Sequence, residues 1–285
     1  MALVCHHLNT ATFCGLPSPL MEGQGWLSPS RWLRRGRLAC HCLLLETSGG
    51  LVLVDTGLGH RDLCHPTLAT RLERRMLGAE QDDADTALEL VRSFGYAPED
   101  VRHILLTHLD PDHAGGLKDF PLARVHVMED EYIAAMHPMT LMERKRYNPA
   151  DWQHDPIWHC HRPEGERWFG FEAVRAPVPG VEDLLMIPLP GHSRGHAGIA
   201  VNTTDGWLLH GGDAWFNRRE LSDDAWAPVG IAAVESLFET SRAQRKHNLM
   251  RVRELHARHP EIRLICSHDP EDACACRCAG RVVRG

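Results

Sequence analysis

Thr107-His108-Leu109-Asp110-Pro111-Asp112-His113-Ala114-Gly115-Gly116 is the stretch from which the fold and chemistry of this chain can be predicted. It follows directly on Ile104-Leu105-Leu106, an apolar run typical of a buried strand. Two imidazoles and two carboxylates stand within six residues, and such groups are costly to desolvate unless a cation lies among them. The two glycines let the backbone approach whatever is bound. The stretch therefore predicts a metal-binding loop at the end of a strand.

The spacing of the four polar side chains fits a single binding point. His108 and Asp110 are two residues apart, so on an extended chain they face the same side. Pro111 favours a turn, after which Asp112 and His113 can begin a helix with their side chains directed back to that point. The alternative is a capped helix start with satisfied polar side chains. It is disfavoured because a cap needs one carboxylate and no histidines.

Three later side chains each come at the end of an apolar, strand-like run: His192, Asp213 and His268. Glycines precede two of them, in Gly191-His192 and in Gly211-Gly212-Asp213. Strand ends are rigid points from which distant parts of a chain can converge on one site. We therefore expect these three side chains to join the cluster formed by residues 107–116.

Composition and charge exclude some classes of partner. The chain has 285 residues, 43% of them hydrophobic, which suffices for a substantial core. The net charge of −7 argues against a nucleic-acid partner, which needs a basic surface. Arg31, Arg34, Arg35 and Arg37 could form an RNA or membrane patch, but a solvated flap is favoured because the remainder is acidic. With no membrane-spanning run and no secretory signal, we expect a cytoplasmic protein with no membrane partner.

The ten cysteines are expected to be reduced thiols in that compartment. Cys40-His41-Cys42 could be a metal-binding pair, but on an alternating strand both sulfurs point to one face as small core residues. Cys274, Cys276 and Cys278 lie in a segment without apolar periodicity. Residues 271–285 are therefore predicted to form a mobile tail, with adventitious metal binding or oxidation as the alternative.

The hydrophobic pattern predicts a single domain of mixed α/β class over residues 1–285. Because hairpins are followed by mixed strand–helix units, we predict two packed sheets with helices outside. The predicted strands are Cys40–Glu46, Leu51–Asp55, Ile104–Thr107, Arg124–Met128, Leu184–Pro188, Gly198–Asn202, Trp207–His210 and Arg263–Cys266. The predicted helices are Ala84–Phe94, Glu129–Met136 and Ala232–Arg258, the last broken once.

Two segments stand apart from this pattern. Residues 16–38, rich in Gly, Pro, Trp and Arg, predict a flap. Residues 137–170 hold many aromatic side chains among prolines and charges, and fit a lid over a site as well as core packing. As a lid, this segment would bring Trp152 and Trp158 to a substrate pocket.

With its candidate ligands in this order, the chain resembles the metallo-β-lactamase-fold hydrolases between residues 38 and 270, including the turn Val54-Asp55-Thr56-Gly57. The resemblance implies an αββα sandwich of two mixed β-sheets flanked by helices, with one or two metal ions at the sheet edge. Asp55 would orient the ligands without binding an ion, and His196 is assigned the same supporting role. His103 and His210 are interpreted as ordinary strand residues. Carried over position by position, the resemblance implies a first metal site of His108, Asp110 and His192, a second of Asp112, His113 and His268, and Asp213 as the bridging ligand.

Asp110 departs from the His-x-His-x-Asp-His motif of that family, in which a histidine stands at its position. Aspartate is a harder, anionic ligand, so two divalent ions would face three carboxylates. We expect two divalent metal ions, in the first place zinc, with manganese or iron better tolerated than at an all-histidine site. The alternative is that Asp110 weakens the first site so far that a single ion remains.

The resemblance implies a metal-dependent hydrolase that attacks the carbonyl of an ester or lactone with metal-bound hydroxide. Asp112 and Asp213 would be its catalytic carboxylates, and no serine or cysteine nucleophile is needed. A small-molecule substrate is expected, and a homodimer is left open. Acyl-homoserine lactonases resemble the layout best, but many carry a tyrosine where Phe216 stands, and phenylalanine cannot donate that hydrogen bond. Phe216 would then be a pocket wall.

The main alternative function is that of a glyoxalase-II-like thioesterase. Its anionic substrate would need basic residues, for which Arg194 or the run Arg144-Lys145-Arg146 could serve, although such a run is more simply a solvated helix face. A β-lactamase, a phosphodiesterase and an iron-dependent redox enzyme are weaker alternatives. They conflict, in turn, with the missing export signal, with the acidic charge, and with the lack of room for a flavin-binding domain.

Overall fold

The computed structural model describes residues 3–80, 82–222 and 226–275, and in them the chain forms two β-sheets. Their strands are β1 (Val4–Pro17), β2 (Arg35–Thr47), β3 (Gly50–Val54), β4 (Ala79–Glu80), β5 (Val101–Leu105), β6 (Arg124–Met128), β7 (Ile157–His161), β8 (Glu166–Trp168), β9 (Phe171–Arg175), β10 (Leu184–Pro188), β11 (Ala197–Thr203), β12 (Gly206–His210) and β13 (Arg263–Ile265). One sheet has the order β4-β1-β2-β3-β5-β6-β7, and the other has the order β13-β12-β11-β10-β9-β8. Both are mixed, because β3, β5, β6 and β7 run parallel, as do β12 and β13, while the other pairs are antiparallel.

The helices connect the strands and cover the outer faces of the sheets. Within the same described ranges they are α1 (Ser18–Glu22), α2 (Pro29–Trp32), α3 (His60–Cys64), α4 (Leu68–Leu77), α5 (Ala87–Ser93), α6 (Pro111–Ala114), α7 (Glu129–Met136), α8 (Leu141–Arg146), α9 (Val229–Phe238), α10 (Arg242–Arg258) and α11 (Pro270–Ala275). Single turns of 3-10 helix supplement them, among them Leu117–Asp119 and Pro149–Trp152.

Neighbouring residues on the central strands pack in different layers. Leu53 of β3 contacts the cluster that includes α5 and α7, whereas Val54 lies between the sheets with Met186 of β10. On the other sheet, Leu185 packs with α10. Because strand side chains alternate between faces, a strand covered on both sides must be apolar at successive positions, as these are. The αββα arrangement of two mixed sheets is thus confirmed.

Several predicted elements have the limits that the pattern indicated. Arg124–Met128, Leu184–Pro188 and Glu129–Met136 agree at both ends. The predicted hairpin is present, with Thr47 paired to Gly50 across its turn, and the long final helix is interrupted once, between α9 and α10. Strands β1, β7, β8 and β9 were not predicted, because histidine, threonine and charged residues shorten their apolar runs.

The predicted flap, residues 16–38, contains the end of β1, both short helices α1 and α2, and the start of β2. Met21 of α1 is buried so closely against Gly36 that a Cβ at this glycine would lie 2.3 Å from the methionine Cβ. The segment borders a cavity of about 710 Å³. Six arginines line this cavity: Arg31, Arg34, Arg35, Arg37, Arg218 and Arg219. The basic run of the flap therefore faces a cavity in the structure.

The predicted lid, residues 137–170, is mostly part of the two-sheet framework. It supplies α8, the edge strand β7 and strand β8. Trp152 and Trp158 pack against the core between the first sheet and its helices, where Trp158 also contacts Tyr132. Trp158 shares the helix-covered face of the sheet with Val125, so this packing gives no support to a place in a substrate pocket, which stays a prediction for both tryptophans.

Cys40 and Cys42 are buried in β2, as a structural role requires, and the Cys40 thiol donates to the Asp112 carbonyl at 3.0 Å. The predicted tail begins as helix α11, whose Asp272 accepts a hydrogen bond from the Cys266 backbone N–H. Cys276 and Cys278, with the rest of residues 276–285, lie outside the described residues, as does the side chain of Cys274. Among the described residues, none of the helices combines the length and apolar composition that a bilayer-spanning segment needs.

Candidate metal centre

The candidate ligands lie where strands of both sheets end at one edge. Asp55 follows β3, and His108 follows β5 after two further buried residues. His192 follows β10, Asp213 follows β12 and His268 follows β13. Because these strands end at the same edge, residues that are distant in sequence lie close together there. The structure brings together all seven residues for which a ligand role is predicted: His108, Asp110, Asp112, His113, His192, Asp213 and His268.

Helix α6 begins with Pro111, and Asp110 precedes it in an extended conformation with ψ near 150°. The Asp110 side chain makes no capping hydrogen bond to this helix. Its carboxylate instead faces His108 and His192. The alternative of an ordinary capped helix start is thereby excluded.

His108, Asp110 and His192 form the first half of the cluster. Asp110 Oδ2 lies 3.3 Å from His108 Nε2 and 3.2 Å from His192 Nε2. Asp213 Oδ2 lies 3.3 Å from the same His192 atom. Donor atoms at bonds of about 2.0–2.2 Å around a tetrahedral ion are separated by roughly 3.3–3.6 Å. These spacings are therefore close to those that a bound ion requires.

Asp112, His113 and His268 form the second half. Asp213 reaches both histidines, with Oδ1 3.3 Å from His113 Nε2 and Oδ2 3.2 Å from His268 Nε2. Asp112 Oδ2 lies 3.7 Å from each of these two nitrogens. Asp213 thus stands between the halves, which is the position predicted for a bridging carboxylate.

Four buried side-chain atoms of the seven residues make no hydrogen bond: His192 Nδ1 and three atoms that the ion-pair distances place within the cluster, His108 Nε2, His113 Nε2 and Asp213 Oδ1. Buried polar atoms are nearly always paired, so three unpaired atoms aimed at one point need a partner. Imidazole nitrogen and carboxylate oxygen are ligands of zinc and related divalent ions. The residues therefore fit such an ion, while their role as ligands stays a prediction.

Asp55 holds a ligand of the second half in place by hydrogen bonds. Its Oδ2 accepts hydrogen bonds from His113 Nδ1 at 2.8 Å and from the Thr107 hydroxyl at 2.7 Å, and its Oδ1 accepts from the Thr107 N–H. The residue adopts φ of 57°, a left-handed conformation that aspartate tolerates better than most residues. Fixing His113 Nδ1 as the donor leaves the Nε2 lone pair directed at the cluster, as the predicted orienting role requires.

His196 supports Asp213 without being a candidate ligand. Its Nδ1–H donates to the Leu189 carbonyl, and its Nε2 accepts the Asp213 backbone N–H at 2.9 Å. Both ring nitrogens are therefore used. Gly212, at φ of 56°, passes so close that a Cβ would lie 2.6 Å from His196 Nε2. His210 is likewise engaged on both nitrogens, by Gly212 N–H and the His41 carbonyl, in keeping with a strand residue.

The electrostatics differ between the two halves. Burial lowers the pKa of His268, but the nearby Asp213 carboxylate outweighs this and raises the pKa to about 9. For His192, burial and then the Arg146 guanidinium lower the pKa to about 3. Burial raises the pKa of Asp110, yet Arg146 and His108 hold it well below its usual value. Arg146 thus shapes only the first half.

Sequence reasoning considered Arg146 only for an anionic substrate, and it missed Glu131 as a neighbour of the cluster. Arg146 contacts Asp110 and His192 directly. Glu131, fully buried on α7, accepts hydrogen bonds from Leu109 N–H at 3.0 Å and Gly195 N–H at 3.0 Å. It also accepts from the hydroxyls of Tyr147 and Ser193. The sequence showed only that Glu131 is an acidic residue in the first turn of α7. Its role could not be predicted from that, because its hydrogen-bond partners include loops that are distant in the sequence.

Gly191-His192-Ser193-Arg194-Gly195 matches the Gly-x-Ser-x-Gly pattern of serine hydrolases. Ser193 is buried, and its hydroxyl donates to Glu131 Oε2 at 2.6 Å. The segment leads into strand β11 and not into a helix, so it is not the strand–turn–helix elbow that exposes a nucleophilic serine. Ser193 therefore has a structural role here.

Phe216 forms an apolar wall of the cluster. Its ring centroid lies 4.6 Å from that of His268 and 5.9 Å from that of His192. It belongs to a buried group with Phe13 and Ile231. Its role as the wall of a substrate pocket stays a prediction.

Comparison with known proteins identifies the family. The family model described as the metallo-beta-lactamase superfamily matches residues 35–264. The chain is 42% identical over 236 residues to the probable metallo-hydrolase Rv2300c of Mycobacterium tuberculosis. This match covers 82% of the present chain and 76% of that protein. It is 28% identical over 254 residues to the N-acyl homoserine lactonase AiiA of Bacillus thuringiensis subsp. kurstaki, with 88% of each chain covered. A crystal structure of a quorum-quenching N-acyl homoserine lactone lactonase shares the fold with a TM-score of 0.69 at 21% identity, covering 98% of this chain and 97% of that chain. The chain therefore belongs to the metallo-beta-lactamase superfamily.

Proposed function

We propose that this metallo-hydrolase cleaves carboxylic esters or lactones at the cluster of seven histidine and aspartate side chains. The observation that carries the proposal is the convergence of His108, His113 and Asp213, whose buried Nε2, Nε2 and Oδ1 atoms make no hydrogen bond to a described residue, although His113 Nε2 and Asp213 Oδ1 lie 3.3 Å apart. Divalent ions held there would lower the pKa of a coordinated water and polarise a substrate carbonyl.

The residues of the chain have distinct parts in this reaction. His113 and His268 present Nε2 to the cluster, because Asp55 and the Ala39 carbonyl accept their Nδ1 protons. Asp213 offers one oxygen to each of these histidines and holds the two halves at a fixed separation. The Asp112 side chain is 17% exposed, so it can reach both the cluster and solvent. We assign it to take the proton of the attacking water and to return it to the leaving oxygen.

The similarity to the Bacillus lactonase supports lactones among the carboxylic esters. Phe216 limits how far that similarity extends. Its ring lies beside His268 and His192 and has no hydroxyl to assist a substrate carbonyl. We therefore propose lactone or ester hydrolysis in general and do not restrict it to homoserine lactones.

Thioester hydrolysis is a second candidate, favoured by the arginine-lined cavity. This cavity includes Arg218 and reaches Asp269, the residue after His268, so an anionic substrate could bind near the cluster. Of the residues first considered for that purpose, Arg194 donates to Glu143 and Arg146 to Asp110, whereas Arg144 and Lys145 are exposed on α8. Arg31, Arg37 and Arg218 of the cavity also pair with carboxylates, those of Glu22, Glu80 and Asp269, so an anionic substrate would have to compete with these pairs.

The metal complement, the substrate and the assembly remain part of the proposal. We propose divalent ions, with zinc first and manganese or iron tolerated because Asp110 supplies an oxygen where the family usually has an imidazole. Metal analysis of protein grown in medium with balanced metals would measure this preference. Zinc alone, with no competition from the other ions, would contradict the tolerance. A cytoplasmic location, a small-molecule substrate and a homodimer stay predictions.

The proposed reaction is tested with a substrate panel on protein of known metal content. The panel holds lactones, aryl esters, S-acyl glutathione, a β-lactam and a phosphodiester. We expect turnover of the lactones or aryl esters, loss of turnover after chelation, and recovery when metal is added. Turnover of S-acyl glutathione alone would select the second candidate. Undiminished activity of the metal-stripped protein, or turnover of the phosphodiester alone, would reject both.

A further inference from the structure

Arg146, the last residue of α8, places its guanidinium inside the first half of the cluster. Its Nε lies 2.5 Å from Asp110 Oδ1 and its Nη2 lies 2.9 Å from Asp110 Oδ2, a bidentate pair. The same Nη2 lies 2.6 Å from His192 Nε2, and Nη1 donates to the His192 carbonyl at 2.8 Å. Only 6% of the arginine side chain is exposed. A buried cation therefore already contacts two of the three predicted ligands of the first metal site.

Arginine and a metal ion need the same lone pair on His192. Arginine only donates hydrogen bonds, so His192 Nε2 must accept from it. A neutral imidazole has one acceptor nitrogen, and its single lone pair cannot serve a guanidinium and a metal ion together. Asp110 has further lone pairs and could be shared, but His192 could not. Binding of an ion by His192 thus requires Arg146 to leave.

The second half contains no such competitor among the described residues. His113 Nε2 and Asp213 Oδ1 make no hydrogen bond, and the candidate ligands near them belong to Asp112, His268 and His108, none of which is a cation of fixed charge. The formal charge of the cluster also favours one divalent ion over two. Three carboxylates, one guanidinium and one divalent ion sum to zero, whereas a second ion would leave the buried cluster positive unless it also took up an anion.

We propose that Arg146 is a built-in cation of the first half, so that this chain holds one divalent ion tightly and a second only by displacing Arg146. The inference rests on the proposed metal-dependent function and specifies how its site is loaded. The tight ion is held by Asp112, His113, His268 and Asp213. His108 lies within reach of Asp213, so it can join either half.

Displacement of Arg146 would also loosen the segment that carries it. Nη1 donates to the Phe238 carbonyl at 2.9 Å and to the Thr240 hydroxyl at 3.2 Å, in the turn between α9 and α10. The arginine thereby ties α8 to this turn as well as to the cluster. Loading of the second ion should therefore be coupled to release of α8.

The test is the zinc content and zinc affinity of the purified full-length protein, measured by elemental analysis and by competition with a chromogenic chelator. For the wild type we expect one tight equivalent, and a second that binds at least about 100-fold more weakly. In Arg146→Met the second equivalent should tighten by about tenfold or more, because the three guanidinium contacts with Asp110 and His192 no longer oppose it. Arg144→Met, an exposed arginine on the same helix, is the matched control and should behave as the wild type.

Two equally tight ions in the wild type would overturn the inference and leave the proposed function intact. An unchanged or weaker second site in Arg146→Met would also overturn it. Wild-type protein that binds no divalent ion would instead reject the metal-dependent function itself. Should Arg146→Met fail to fold, the wild-type stoichiometry and the variant Arg146→Lys decide. The single ammonium of lysine cannot bridge Asp110 and His192, so the second zinc ion should bind to Arg146→Lys with an intermediate affinity.

Discussion

In the first half of the metal cluster, Asp110 and His192 face a buried guanidinium, whereas in the second half His113 and His268 face carboxylates alone. Both halves are built from imidazoles and aspartates at strand ends. The difference arises from a residue outside the motifs, Arg146, which completes one half and is absent from the other. Similar ligand sets thus need not bind metal ions with similar affinity.

The halves also rest on different buried carboxylates. Asp55 lies below the second half and accepts a hydrogen bond from a predicted ligand, His113. Glu131 lies below the first half and touches no predicted ligand side chain. Its carboxylate accepts hydrogen bonds from the loops that contain Leu109 and Ser193 and from Tyr147, the residue after α8. One support orients a ligand directly, while the other positions the backbone that carries ligands.

Removal of Asp213 should break both halves and have the largest effect. Asp213→Ala deletes the carboxylate that lies within 3.3 Å of His113, His192 and His268. We expect kcat/KM to fall by about a thousandfold or more, since several kcal/mol of transition-state stabilisation depend on the ions being held together. Turnover and zinc content are measured together, with circular dichroism to verify folding. Full activity would remove the bridging role.

Asp55→Asn should weaken the second half more than the first, which Asp55 reaches only through Thr107. The amide keeps the shape and tolerates the left-handed backbone, but it accepts less strongly from His113 Nδ1. We expect the tight zinc ion to bind about 10- to 100-fold more weakly. The matched control is His192→Gln in the first half, which should change that affinity little. Equal losses in both variants would show that the two halves bind as one unit.

Glu131→Gln should loosen the support of the first half. The side chain accepts four hydrogen bonds in the native protein, and its replacement sets an NH2 group against donors. We expect the free energy of unfolding to fall by about 1–2 kcal/mol in urea denaturation, with the affinity for the tight zinc ion preserved. Unchanged stability would contradict the positioning role of Glu131.

His126 offers the smallest effect and a contrast with the histidines of the cluster. It is buried in β6 between His103 and His161, and burial followed by the charge of His161 lowers its pKa to about 2. The folded protein keeps it neutral, while the unfolded chain binds a proton below pH 6.5, so this contribution to stability is lost as pH falls below that value. His126→Gln should reduce the pH dependence of the unfolding free energy between pH 6.5 and 5 by at most about 1.4 kcal/mol per pH unit. An identical slope in the variant would show that His126 does not carry it.

Local sequence was sufficient for much of this protein. Residues 104–113 predict a buried strand and a cluster of ligands, because apolar periodicity and the spacing of polar residues act over a few positions. His192, Asp213 and His268 could be recognised as strand-end residues for the same reason. The two-sheet layering was predicted from hairpins followed by mixed strand–helix units.

Tertiary structure alone decided which distant residues complete the site. Successive residues of a helix point about 100° apart, so in the run Arg144-Lys145-Arg146 one side chain can face inward while its neighbours stay in solvent. Which one does so depends on how α8 docks over Asp110 and His192, and no local pattern encodes that docking. Trp158 shows the reverse case, because an aromatic residue that suits a pocket packs against the core from the sheet face on which it lies. Sequence fixes the chemistry that a residue can perform, whereas the packing of elements from distant parts of the chain fixes the partner on which it acts.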